Sequence, residues 1–222
     1  MSDERLIETP HGSGRLVVRR ARRPIAALLL SHGAGRGIDT ADLLALADAL
    51  PREGLSVLLW EQPWVRAGRK VASPPATLDD GLRAAAATLR VRTPLVVGGR
   101  SAGARSALRC ARGLGAAGCL ALSFPLHPPG RPERSRLSEL EGAGVPTLVV
   151  QGERDPMGRP EEFPDPLPAG VSMAVVPAAD HGLSVPRSAP VSQQDALDLV
   201  VESVLEWVVR DLVEPGADAA PG

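Results

Sequence analysis

Tyrosine is absent from the 222 residues, and aromatic residues make up only 2% of the chain. A core so poor in rings has to be built from Leu, Val and Ala, and base-stacking platforms for single-stranded nucleic acid are hard to assemble from this set. Cysteine is nearly missing. Cys110 and Cys119 both lie in apolar, regular stretches, which reads as two buried reduced thiols and not as a disulfide framework. Neither sign of charge dominates: 25 Lys and Arg face 26 Asp and Glu, and a net charge of −1 argues against a generic polyanion binder. Long apolar runs are lacking too. The longest, Ile25 to Leu30, falls far short of the ~20 residues a spanning helix needs. The amino terminus, Met1-Ser2-Asp3-Glu4-Arg5, is polar and unlike a secretory signal. No Gly-Lys-Ser/Thr appears and no His/Cys/Asp cluster has zinc spacing, so neither a metal nor a cofactor is expected. Together these absences predict a cytoplasmic protein that binds neither membrane nor nucleic acid.

What is present is an α/β pattern. Hydrophobic residues make up 44% of the chain, ample for the core of one domain, expected over residues 1–213. The Gly-, Ala- and Pro-rich stretch 214–222 reads as a disordered tail. Two opening strands around Leu6-Ile7 and Leu16–Val18 flank a Gly- and Pro-marked turn, as in a hairpin. Apolar runs at 25–30, 55–60, 94–98, 119–124, 146–150 and 171–176 follow, with helical patterns between them. Such runs fit parallel strands buried on both faces, and the alternation fits a doubly wound sheet. A long amphipathic stripe over 193–212 closes the chain. Ligands of such sheets bind beyond the carboxyl ends of the strands. The loops with unusual chemistry, 31–37, 61–76, 98–104, 125–136, 151–158 and 177–184, all fall there.

Gly99-Arg100-Ser101-Ala102-Gly103 sits where a Val-rich strand meets an alanine-rich helix, and it fits G-x-S-x-G, the nucleophile elbow. Glycines flank the serine because a Cβ there would crowd the neighbouring strand or helix. An activated serine needs an imidazole to take its proton and a carboxylate to orient that imidazole. Of four histidines, His181 follows the last strand and can reach back across the sheet edge, so it is the expected base. His11 lies in a hairpin turn. Asp155, past the strand ending at Gln151, is the expected acid and completes the order Ser…Asp…His, with Glu153 as its rival. Asp180 reads as a turn residue. Backbone N–H groups of Gly33 and Ala34, in the loop His32-Gly33-Ala34-Gly35, are expected to join that of Ala102 as an oxyanion hole. Gly33-x-Gly35-x-Gly37 also suggests a dinucleotide loop, but the fingerprint needs glycine at 38, where Ile38 stands.

The chain resembles an α/β-hydrolase over roughly residues 6–212. Gly98 to Arg105, Leu122 to Gly130 and Gln151 to Pro156 are similar to a small lid-less group related to dienelactone-hydrolase-like proteins. The same group is related to the hydrolase-like domain of a eukaryotic chromatin-complex subunit. The resemblance implies a mostly parallel sheet of about seven or eight strands, helices on both faces and no full cap domain. It implies Ser101 as nucleophile, Asp155 as acid and His181 as base of a serine hydrolase; the expected substrate is an acyl ester. In the chromatin-associated relatives the fold serves partly as an interaction domain, so a non-catalytic module with a protein partner is the alternative. Arg100, beside the nucleophile, is not specified by the general pattern. With Arg69 and Lys70 it is expected to favour acidic substrates, and Arg100, Trp64 and His127 are the expected substrate contacts.

Overall fold

In the computed structural model, which describes residues 2–35, 37–90 and 92–213, the apolar runs become strands of one eight-stranded sheet. The tail expected over 214–222 lies outside the described residues. The opening hairpin pairs β1 (Ser2–Thr9) with β2 (Gly12–Arg19). The remaining strands are β3 (Ala26–Ser31), β4 (Leu55–Glu61), β5 (Leu95–Arg100), β6 (Gly118–Leu122), β7 (Thr147–Gly152) and β8 (Val171–Val176). Their order across the sheet is β1-β2-β4-β3-β5-β6-β7-β8. β2 lies antiparallel to β4, and β3 to β8 run parallel. A strand covered on both faces needs apolar residues at every position, because successive side chains point to opposite sides. Leu28, Leu30, Val96, Leu120 and Val150 accordingly enter one core layer, and Ala27, Leu29, Val97, Ala121 and Val149 the other.

Helices α1 (Ala41–Ala49) and α6 (Gln193–Trp207) cover the first layer through Leu43, Leu46, Val200, Val204 and Trp207. Ser192 and Asp195 form a reciprocal capping box that starts α6. The α-helix ends at Trp207 and a π-helical turn, Val208–Val213, replaces its expected last turn. α3 (Pro75–Ala87), α4 (Ala102–Cys110) and α5 (Leu137–Glu141) cover the second layer through Leu82, Ala107, Leu108 and Leu140. Between β4 and α3, where the sequence predicts only a loop, a four-residue helix α2 (Pro63–Arg66) intervenes. Proline at its first position fixes φ and needs no acceptor for a missing N–H, which suits a helix start.

Both cysteines are free and buried, as their apolar settings predict. Burial pushes the Cys110 thiol up to about 11 and raises that of Cys119 further. Between β6 and β7 the chain forms only the 123–136 loop and α5, with no cap domain over the sheet edge. Among the described residues no helix is long and apolar enough to cross a membrane.

Candidate active site

β5 ends at Arg100 and α4 starts at Ala102, so Ser101 has to reverse the chain direction within one residue. It does so at φ 53 and ψ −111, a conformation that L-residues rarely adopt and that costs about 1–3 kcal/mol. The surroundings hold it there: Ser101 N–H donates to Leu122 O at 2.9 Å, and Ser101 O accepts from Arg105 N at 3.1 Å. The flanking glycines answer a close approach. A Cβ on Gly103 would stand 2.6 Å from Ser31 O, and one on Gly99 would collide with the same carbonyl. The end of β3 therefore presses directly on the elbow.

His181 follows β8 and meets the serine. Its Nε2 is 2.9 Å from Ser101 Oγ, and its Nδ1 is 2.8 Å from Asp155 Oδ2. A carboxylate only accepts, so Nδ1 carries the ring proton and the Nε2 lone pair faces the serine hydroxyl. Asp155 is fully buried. Gln151 Nε2 donates to its Oδ2 at 2.9 Å and Met157 N to its Oδ1 at 2.8 Å, so the carboxylate is held from both sides. Gln151 is itself buried and also donates to Gly158 O and Phe124 O, at 2.7 and 3.2 Å. Its part escapes sequence reasoning, where it reads only as the end of a strand. Glu153 accepts from Ala178 N at 2.6 Å instead of reaching the imidazole. Asp180 accepts from Gly182 N and Ser184 N, closing the turn that carries His181.

The loop after β3 packs on the serine: a Cβ on Gly33 would come within 3.3 Å of Ser101 Cβ. His32 fastens this loop. Its Nδ1–H donates to Gly33 O at 2.7 Å and its Nε2 accepts from Gln62 N at 3.0 Å, which fixes the neutral tautomer. Ala102 N–H, in the first turn of α4, has no acceptor within its own helix.

All three expected substrate contacts are engaged by protein partners. Arg100 is 13% exposed, its Nε 3.3 Å from Asp42 Oδ2 and its Nη2 donating to His181 O at 2.7 Å. Asp42 is 1% exposed and is matched by the guanidinium without an aligned hydrogen bond. The cation thus lies beneath the histidine loop, paired with a buried acid. Trp64 is buried and tilts against His32 with ring centroids 5.6 Å apart, as backing for the loop. His127 is buried, its Nδ1 near Pro128 O at 2.9 Å and its Nε2 near Glu162 at 3.1 Å. His11 is held by Asp80 in the hairpin, at 3.0 Å.

The sequence model of the family described as an alpha/beta hydrolase domain matches residues 24–209, and the chain belongs to that family. No curated protein matches the sequence. Solved structures share the fold. An α/β serine hydrolase without a lid from Xanthomonas campestris superimposes with a TM-score of 0.73 at 20% identity, covering 93% of this chain and 94% of its own. An α/β serine hydrolase homologue from Coxiella burnetii gives 0.72 at 18% identity, over 91% and 97%. Dienelactone hydrolase from Anabaena variabilis gives 0.71 at 18% identity, over 94% and 97%.

Proposed function

We propose that this α/β-hydrolase cleaves small acyl esters through a covalent acyl-enzyme on Ser101. The observation that carries the reading is the continuous hydrogen-bonded chain Ser101–His181–Asp155, at 2.9 and 2.8 Å, at the apex of a strained turn. Ser101 Oγ attacks the ester carbonyl carbon while its proton passes to His181 Nε2. The carbonyl oxygen becomes an oxyanion, received by the N–H groups of Ala102 and of Gly33 and Ala34, each worth about a hundred- to thousandfold in rate. Asp155 stabilises the imidazolium and keeps its orientation. The intermediate collapses, the C–O bond breaks, and His181 returns the proton to the departing alcohol. Water, deprotonated by the same imidazole, then attacks the acyl carbon and releases the acid and the free serine.

The reading is tested with a panel of p-nitrophenyl esters differing in acyl length and charge. Short neutral esters are expected to turn over, and Ser101→Ala to lose at least about 10³-fold in kcat/KM. A folded protein that hydrolyses no member of the panel, or an unaffected Ser101→Ala, would overturn it in favour of an interaction module on the same fold. With Arg100 committed to Asp42 and the His181 carbonyl, no preference for acidic acyl groups is expected from that residue.

A further inference from the structure

At the amino ends of the parallel strands, opposite the Ser101 edge, the chain clusters arginines with few acids among them. Arg19 ends β2, and Arg20, Arg22 and Arg23 follow it in the segment before β3. Arg52, from the 3-10 turn after α1, joins them along a groove of about 710 Å³. The backbone beneath is fixed. Ala21 is buried and its N–H donates to Ser56 Oγ at 3.1 Å, while Ile25 N–H donates to Gly54 O at 2.8 Å. With Ala21 turned inward, Arg20, Arg22 and Arg23 stand exposed on either side of it and Arg19 is half-buried.

Elsewhere four partly buried arginines, Arg15, Arg105, Arg109 and Arg100, pair with Glu61, Glu139, Asp79 and Asp42. In the groove only Arg20 approaches a carboxylate, Asp3, at 3.9 Å, and Arg20 is 63% exposed there. Among the described residues Arg19, Arg22, Arg23 and Arg52 have no ion-pair partner. Asp48 is the one carboxylate in the lining against five guanidiniums. Holding like charges together costs energy that an anion would relieve.

We propose that this groove binds a chain of contiguous phosphates. Guanidinium forks pair with phosphate oxygens bidentately, and several forks on one fixed loop favour several linked phosphates over one. The volume suits a small ligand. The rest of the lining is Ala47, Pro51 and Gly54, with no ring on which a base could stack, so the phosphates themselves are what is read. The positive field is also short: the neighbouring hollow, which shares Asp48 and Arg52, is lined by Asp198 and Glu202. A nucleic acid or an anionic bilayer would have to cross those acids. A free inorganic polyphosphate and the tail of a nucleoside triphosphate share the required chemistry.

Titration calorimetry of the full chain with inorganic tripolyphosphate, orthophosphate, a nucleoside triphosphate and duplex DNA tests this. Tripolyphosphate is expected to bind once per chain and about tenfold or more tighter than orthophosphate. The triple substitution Arg22→Gln, Arg23→Gln, Arg52→Gln should weaken it by at least about tenfold, with the urea midpoint and the Ser101 chemistry unchanged. Arg131→Gln with Arg134→Gln, outside the groove, should leave it intact. Nucleoside triphosphate binding no tighter than tripolyphosphate points to the free chain. Tighter binding that is still lost in the triple variant points to a nucleotide as the source. Absence of saturable tripolyphosphate binding, equal affinity for orthophosphate, survival of binding in the triple variant, or tighter binding of DNA would each overturn the proposal.

Discussion

Arg100 connects three elements at a single residue: its own strand β5, Asp42 in the first turn of α1, and the His181 carbonyl after β8. Two effects of removing it can be separated. Leaving Asp42 buried without its cation costs about 3–5 kcal/mol, so Arg100→Met alone should be strongly destabilised. The double substitution Arg100→Met with Asp42→Leu removes both charges, and urea unfolding should place it within about 1 kcal/mol of wild type. In the double variant the His181 carbonyl still lacks the guanidinium that held it. Acylation of Ser101 in the double variant should therefore be slower by about 10- to 100-fold, with KM little changed. A double variant acylating at the wild-type rate would make Arg100 a residue of stability alone.

At the scale of elements, the junction β5–Ser101–α4 works because two glycines let the end of β3 lie against it. Gly103→Ala would drive a Cβ to 2.6 Å from Ser31 O and 2.7 Å from His32 O, both backbone atoms. Neither carbonyl can yield without moving the loop that carries Gly33. Overpacking of this kind costs about 1–3 kcal/mol in stability, readable in the urea midpoint. The rate of Ser101 acylation should fall more than that loss explains, since the displaced loop takes its N–H groups out of place. Equal rates in Gly103→Ala and wild type would show that the loop's position does not matter. Strands β3 to β7 were legible because burial on both faces leaves little room for polar alternation, whereas β1 and β2 were marked by the Gly- and Pro-rich turn between them. The helix α2 was not, since four residues carry no period. The helix carries Trp64, expected as a substrate contact, whose ring tilts against His32.

For the molecule as a whole, the sheet gathers at one edge residues that stand far apart in the chain. Ser101, Asp155 and His181 were legible because each follows a strand and they occur in the order the fold requires. Gln151 and Asp42 were not, because their partners are set by packing between elements: a strand-end glutamine and a helix-start aspartate look ordinary locally. The arginine cluster at the opposite edge was not singled out, because which of its members lack a partner depends on where the acids of other elements lie. On the proposed reading, this assembly makes Ser101 a nucleophile. A fluorophosphonate probe followed by mass spectrometry of the digested protein tests it most directly, and the cysteines are buried and protonated, so they do not compete. One adduct per chain is predicted, on the peptide containing Ser101, absent in Ser101→Ala and formed about 10²-fold or more slowly in His181→Ala. No adduct in the folded protein, or one that persists in Ser101→Ala, would contradict the account.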